Sequence, residues 1–289
     1  MVGKMVQRWW QLVRGGNVLL AGVAAWVGAY LTSGEWLPIN LAAVLLTPML
    51  VTAAGNIDND VCDLEIDRLI KADRPLVNES IPHHAARVAS VVLGLLGLAM
   101  GLTSGLFPLE IALVAVLGLF IYNRSLSGHA VLGNTVIAVL GALPILFGSA
   151  AVSGDGITMI SDAAVVGAVI AFWLHLPREI LKDALDIDGD RIAGRRTLAV
   201  LYGEKIALRW AALTMAIALL YVVYSAFCGC FGLMFSIGVF LTVIPALILG
   251  TLQCAFGTDD MIALRWTVGL KLCMVAGLAW MVIGKAAHP

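Results

Sequence analysis

The segment Asn56 to Pro75 reads NIDNDVCDLEIDRLIKADRP. Asp60, Asp63 and Asp67 stand at i, i+3 and i+7, with Asn56 one turn earlier and Asn59 beside Asp60. On a helix that spacing puts Asn56 and the three carboxylates on one face. Carboxylates so placed repel one another, and a cation reverses the sign. Hard oxygen ligands at this spacing suit Mg²⁺, which takes one or two carboxylates together with substrate phosphates. A solvated acidic helix end is the competing reading.

A second cluster strengthens the metal reading. Arg178 to Asp190 reads REILKDALDIDGD, and Asp183, Asp186 and Asp190 repeat the same spacing. Each cluster follows a long apolar run and precedes basic residues: Arg68, Lys71 and Arg74 after the first, Arg191, Arg195 and Arg196 after the second. This is weak internal symmetry at an interval of about four membrane spans. Two facing clusters could hold two or more Mg²⁺ ions on one diphosphate. A calcium loop beginning at Asp186 fails, because Arg191 and Thr197 stand where Gly and Glu are required.

The elements that carry these clusters are membrane spans. Of 289 residues, 61% are hydrophobic and 13% charged, and mean hydropathy is +0.96. A soluble domain carries roughly a quarter charged residues. The apolar runs are continuous rather than alternating, so the expected fold is all-α: one polytopic domain over residues 1–289, a bundle of about nine transmembrane helices. The five cysteines, Cys62, Cys228, Cys230, Cys254 and Cys273, imply neither a disulfide framework nor a zinc site. Lys4, Arg8 and Arg14 before the first apolar stretch imitate a signal peptide, but no small-residue cleavage site follows, so a retained first span is expected.

Residues Asn59 to Asp67, NDVCDLEID, resemble the N-D-x-x-D-x-x-x-D signature of the UbiA family of intramembrane prenyltransferases. Lys71 to Pro75 is similar to the K-x-x-R-P that follows it, and DALDIDGD (Asp183 to Asp190) to the family's second signature, D-x-x-D-x-x-G-D. LVRGGN (Leu12 to Asn17) resembles the family's R-P-x-N, with Gly15 in place of Pro; GRRTLAVLYG (Gly194 to Gly203) resembles G-R-x-T-L-P, with Ala199 in place of Pro. After the fourth span the family often has Tyr followed by Lys. Here Tyr122 is followed by Arg124, and Asn134 after Gly133 resembles a recurring G-N.

The resemblance implies a site. Asp60, Asp63, Asp67, Asp183, Asp186 and Asp190 would bind Mg²⁺, with Asp60, Asp63, Asp183, Asp186 and Lys182 carrying the reaction. Arg14, Asn17, Asn56, Asn59, Lys71, Arg74, Tyr122 and Arg124 would bind substrate. His175 at the end of the sixth span reads as structural. Gly97, Gly101 and Gly105 read as close helix packing.

Orientation follows from the basic residues. With the N-terminus in the cytoplasm and the spans alternating, all 18 Lys and Arg except Lys285 fall on the cytoplasmic side. Both Asp-rich motifs then share one cytoplasmic mouth, in the plasma membrane. Three functions compete. A cation transporter would place its ionisable groups near the bilayer midplane. A structural protein leaves two matched triads without a purpose. An enzyme acting on a prenyl diphosphate accounts for acids, adjacent cations and an apolar groove together. The resemblance implies transfer of the prenyl group to a lipophilic acceptor, with membrane lipid as surroundings and no nucleic-acid partner. Among the family's branches the chain most resembles the geranylgeranylglyceryl phosphate geranylgeranyltransferases. Arg124, Arg191, Arg195 and Arg196, beyond the diphosphate's needs, suit an acceptor with its own phosphate. An aromatic or quinone-precursor acceptor is the alternative.

Overall fold

Apolar runs of twenty residues must satisfy their backbone groups internally once in lipid, and the α-helix does so within one segment. The computed structural model describes residues 2–70, 73–153 and 160–287. In order it has α1 (Val2–Leu12), α2 (Gly15–Ser33), α3 (Leu41–Cys62), α4 (Leu64–Ile70), α5 (His83–Leu102), α6 (Leu106–Ile121), a π-helical turn (Tyr122–Leu126), α7 (Leu132–Ser153), α8 (Asp162–Leu185), α9 (Ile187–Ile192), α10 (Leu198–Tyr202), α11 (Glu204–Phe227), α12 (Leu233–Leu241), α13 (Val243–Phe256) and α14 (Ile262–Ala287). Among the described residues nine spans are long and apolar enough to cross a membrane, α6 with its π turn and α12 with α13 each counting as one. The chain is thus the expected polytopic α-helical membrane protein.

The spans reach further than the hydrophobic runs suggest. α3 extends to Cys62 and α8 to Leu185, so each acidic cluster begins on its membrane helix. The expected unbroken helical face is interrupted in both places at the middle aspartate. Asp63 (φ −87°, ψ 1°) ends α3 and Asp186 (φ −98°, ψ 13°) ends α8. Around each break the backbone bonds match: Asp63 N–H to Asn59 O and Asp67 N–H to Asp63 O, Asp186 N–H to Lys182 O and Asp190 N–H to Asp186 O. The internal symmetry of the sequence is therefore a symmetry of backbone geometry.

α2 and α7 cross in direct backbone contact. A Cβ on Gly28 would sit 1.9 Å from the Ile145 carbonyl oxygen, and one on Gly148 would sit 1.7 Å from that of Ala25. The glycine stripe of α5 packs as expected: a Cβ on Gly97 would meet Val51 of α3 at 2.9 Å, and one on Gly101 would meet Ala112 at 3.3 Å. Gly105 instead turns the chain into α6 with φ 125°. The eighth span breaks at Thr242, three residues before Pro245, whose ring has no N–H and clashes with the carbonyl one turn earlier. Thr242 Oγ1 donates to Gly238 O and accepts from Trp280 Nε1.

α8 packs on α7, α11 and α14, and α2 on α3, α7 and α14. α2, α3, α6, α7, α8 and α14 together enclose a cavity of about 220 Å³. Its walls are mainly Leu, Ile, Ala and Pro; its charged lining, Arg14, Arg178, Glu179, Lys182 and Lys271, adjoins the clusters through Arg14, which bonds Asp60, and Lys182, next to Asp183. Large apolar side chains such as Leu95, Leu117, Leu220 and Leu272 stand exposed on the outside of the bundle, as lipid contact requires.

Candidate active site

The first cluster is organised by arginines. Arg14 joins α1 to α2 in the left-handed conformation (φ 54°, ψ 58°), a strained backbone for a residue with a side chain. Its Nη2 donates to Asn59 Oδ1 at 2.7 Å and to Asp60 Oδ1 at 2.8 Å. Asn56 Nδ2 holds the same junction from α3, donating to Val13 O at 2.8 Å. Arg74 Nη1 donates to Asp60 Oδ1 at 2.8 Å and to Asp67 Oδ2 at 2.6 Å. Asp60 and Asp67 are buried, and a buried carboxylate demands such partners. Lys71, expected beside them, lies outside the described residues.

The second cluster meets the first at one side chain. Arg195 Nη2 donates to Asp63 and its Nη1 to Asp190 Oδ1. A parallel bridge places it: Arg196 N–H donates to Gly128 O at 2.7 Å and Ala130 N–H to Arg196 O at 2.9 Å, stitching the α9–α10 loop to the loop before α7. Burial raises the pKa of the Asp190 carboxyl, against the pull of Arg195. Burial by itself would favour deprotonating Arg195, and the Asp63 and Asp190 carboxylates outweigh it and raise its pKa. Asp183 accepts from Asn134 Nδ2 at 2.9 Å, so Asn134 is an interhelix polar contact. Asp186 sits half-buried at the helix break.

Tyr122 opens the π-helical turn and lies within electrostatic reach of Asp63, Glu179, Asp183 and Arg195. Single π turns recur at functional sites. Arg124, two residues on, faces elsewhere: Nη1 and Nη2 grip Asp58 at 2.7 and 3.0 Å, and the guanidinium stacks on Phe120. Asp58 and Asp60 are two residues apart on α3, about 200° around the helix, so Arg124 binds the side opposite the Arg14–Asp60 pair. Asn123 Nδ2 also reaches Asp58 at 2.9 Å. These contacts anchor the turn that presents Tyr122.

Comparison with known proteins decides the family. The model of the UbiA prenyltransferase family matches residues 21–261. The chain belongs to the UbiA prenyltransferase family. It is accordingly a prenyltransferase. A digeranylgeranylglyceryl phosphate synthase of Natronomonas pharaonis is 32% identical over 278 residues, 96% of each chain. One of Saccharolobus solfataricus is 33% identical, covering 84% of this chain and 85% of that one. A solved structure from work on a digeranylgeranylglyceryl phosphate synthase in membranes has TM-score 0.77 at 26% identity, covering 98% of this chain and 99% of that one. The UbiA homolog of Archaeoglobus fulgidus bound to GPP and Mg²⁺ shares the fold, with TM-score 0.65 at 18% identity over 95% of this chain and 99% of that one.

In this UbiA prenyltransferase the departure at Gly15 has a physical reason. A Cβ there would sit 2.2 Å from Trp10 Cε2, so the indole occupies the space a proline ring would need. A proline would also push Arg14 out of the left-handed region.

The cavity holds groups that the sequence reading passed over. Glu179 is buried between Arg178 Nη1 at 2.8 Å and Lys182 Nζ at 2.6 Å. Lys271, ten residues into α14, donates from Nζ to Asn17 Oδ1 at 2.9 Å. An ionisable residue inside a membrane span is itself a functional signal, and Lys271 carried it alone among apolar neighbours.

The donor set suits a hard divalent cation: six carboxylates and two asparagines, with Asp63 and Asp190 brought within reach of one guanidinium. Among the described residues no three acidic, histidine or cysteine side chains converge into a preformed cage.

Proposed function

We propose that this enzyme transfers a geranylgeranyl group from its diphosphate to the hydroxyl of geranylgeranylglyceryl phosphate, with Mg²⁺ bound by Asp60, Asp63, Asp67, Asp183, Asp186 and Asp190. The observation that carries the reading is the cavity: mainly apolar, and charged at Arg14, which bonds Asp60 of the first cluster, and at Lys182, next to Asp183 of the second. It matches a molecule with a charged head and a long hydrocarbon tail. The relatives that match most of the chain's length, named digeranylgeranylglyceryl phosphate synthases, support this acceptor over an aromatic or quinone-precursor one.

Bound Mg²⁺ would supply Lewis-acid neutralisation of the departing diphosphate. Arg14, Arg74 and Arg195, each held on a cluster carboxylate, are fixed cations aimed at the same charge, and Lys71 and Lys182 extend the set. Asn17, Asn56 and Asn59 hold the entry to α2 in place, and Asp58 with Arg124 holds Tyr122 over the site. The allylic C–O bond breaks as the diphosphate is neutralised, and the apolar walls keep water from the allylic cation. The acceptor oxygen then forms the new ether bond and gives up its proton to the released diphosphate. The distribution of basic residues supports a cytoplasmic position for this mouth, in the plasma membrane.

Purified protein supplied with geranylgeranyl diphosphate and a mixture of phosphorylated glycerol ether, aromatic acid and quinone-precursor acceptors tests the reading by product mass. A diether phosphate supports it, and a prenylated ring as the sole product overturns it.

A further inference from the structure

One turn or more beneath the acidic clusters lies a second charged layer that the diphosphate site does not use. Arg178 precedes Asp183 by five residues, which is about 7.5 Å deeper along α8. Lys271 lies nine residues beyond the start of α14, about 13 Å along its axis. Both line the cavity, with Lys182 and Glu179. Arg178 and Lys182 share the single Glu179 carboxylate. Lys271 bonds the neutral Asn17 amide rather than an acid. Arg178 Nε is buried with no hydrogen-bond partner, and an unmet buried donor is costly. Arg14, the remaining cation of the wall, is held on Asp60 at the diphosphate site. Lys182, beside Asp183, serves the diphosphate, so Arg178 and Lys271 against the shared Glu179 carboxylate leave this layer with a net positive charge.

Of the four arginines that the sequence offered for an acceptor phosphate, three are paired elsewhere, and Arg196 is exposed and does not line the cavity. Arg124 grips Asp58, Arg191 pairs with Asp188, and Arg195 joins Asp63 to Asp190. We infer that Lys271 and Arg178 form the seat for the acceptor's phosphate monoester, between the diphosphate site and the apolar end of the cavity. A phosphate monoester brings negative charge to meet this excess, and oxygens that Arg178 Nε and Lys271 Nζ can donate to. Seated there, it leaves the acceptor's tail among the apolar walls and its hydroxyl facing the clusters. The assignment rests on the phosphorylated-acceptor reading above.

The test compares wild type, Lys271→Gln, Lys271→Arg and Arg178→Gln, with geranylgeranyl diphosphate as donor and geranylgeranylglyceryl phosphate or its unphosphorylated alcohol as acceptor. Losing one charge-assisted contact is worth roughly tenfold or more. In Lys271→Gln and Arg178→Gln the preference for the phosphorylated acceptor, as a ratio of kcat/KM values, falls at least tenfold, through acceptor KM, while donor KM moves less than twofold. Lys271→Arg stays near wild type. A donor KM that rises in parallel assigns these cations to the diphosphate and overturns the inference. So does a ratio unchanged in Lys271→Gln, or one that falls equally in Lys271→Arg, which would be a packing effect. Wild type that prenylates only a ring overturns the acceptor reading and this seat with it. Wild type that makes the diether phosphate while the variants keep their preference overturns the seat alone.

Discussion

Arg195 donates to Asp63 across 132 residues of sequence and, from its other Nη, to Asp190. One guanidinium thus ties the end of α3 to the start of α9, and with them the two halves of the repeated motif. Its planar fork serves two carboxylates in fixed geometry, which a lysine ammonium cannot reproduce. Arg195→Gln is expected to lower kcat about 100-fold, the scale seen when one preorganised charge-stabilising donor is removed. Arg195→Lys recovers only a small part. Steady-state kinetics with saturating donor measure both. Activity of Arg195→Lys equal to wild type would show that only the charge matters.

The α2–α7 crossing makes a stability prediction independent of chemistry. Gly28 and Gly148 each face a carbonyl of the other helix, and backbone cannot yield as a flexible side chain does. Gly148→Val is expected to cost about 3 kcal/mol or more, read as a lower unfolding temperature in detergent. Gly94→Ala, whose Cβ would meet only Ala54 Cβ at 3.8 Å, serves as the control and shifts it little. Equal behaviour of the two variants would mean that the helices separate without cost.

The periodic parts of the site were legible in the sequence. Two aspartate triads at i, i+3 and i+7 announce themselves, because helical spacing needs no tertiary information. The breaks at Asp63 and Asp186 were not legible: neither Gly nor Pro marks them, and the backbone bonds continue through both. Pro245 did mark the break at Thr242. Arg124 and Arg195 look alike in sequence, each a cation near a motif. Only packing shows that one grips Asp58 on the opposite side of α3 while the other joins the clusters. Lys271 and Glu179 escaped because each is one charge without a pattern. Their meaning comes from α2, α8 and α14 facing one cavity.

Alternation of the nine spans puts Cys62 at the cluster end of the bundle and Cys228 and Cys230, both exposed, at the other. In oriented vesicles an impermeant thiol reagent is expected to label Cys228 and Cys230 from one face only, and Cys62 from the opposite face only. Cys254 and Cys273 are buried and should stay unlabelled while the protein is folded. Labelling of Cys62 and Cys228 from the same face would contradict the span order.

The central claim is that the two aspartate clusters act as one Mg²⁺–diphosphate site. Groups acting as a unit lose nearly everything on the first removal, so single and double variants should be almost equally inactive. The direct measurement is turnover of geranylgeranyl diphosphate by wild type with Mg²⁺, wild type with chelator, Asp63→Ala, Asp186→Ala and the double variant, each confirmed folded by its unfolding temperature. The account predicts Mg²⁺-dependent turnover in wild type, none detectable with chelator, and losses in the two single variants close to that of the double. Full turnover in chelator, or by either single variant, would contradict it.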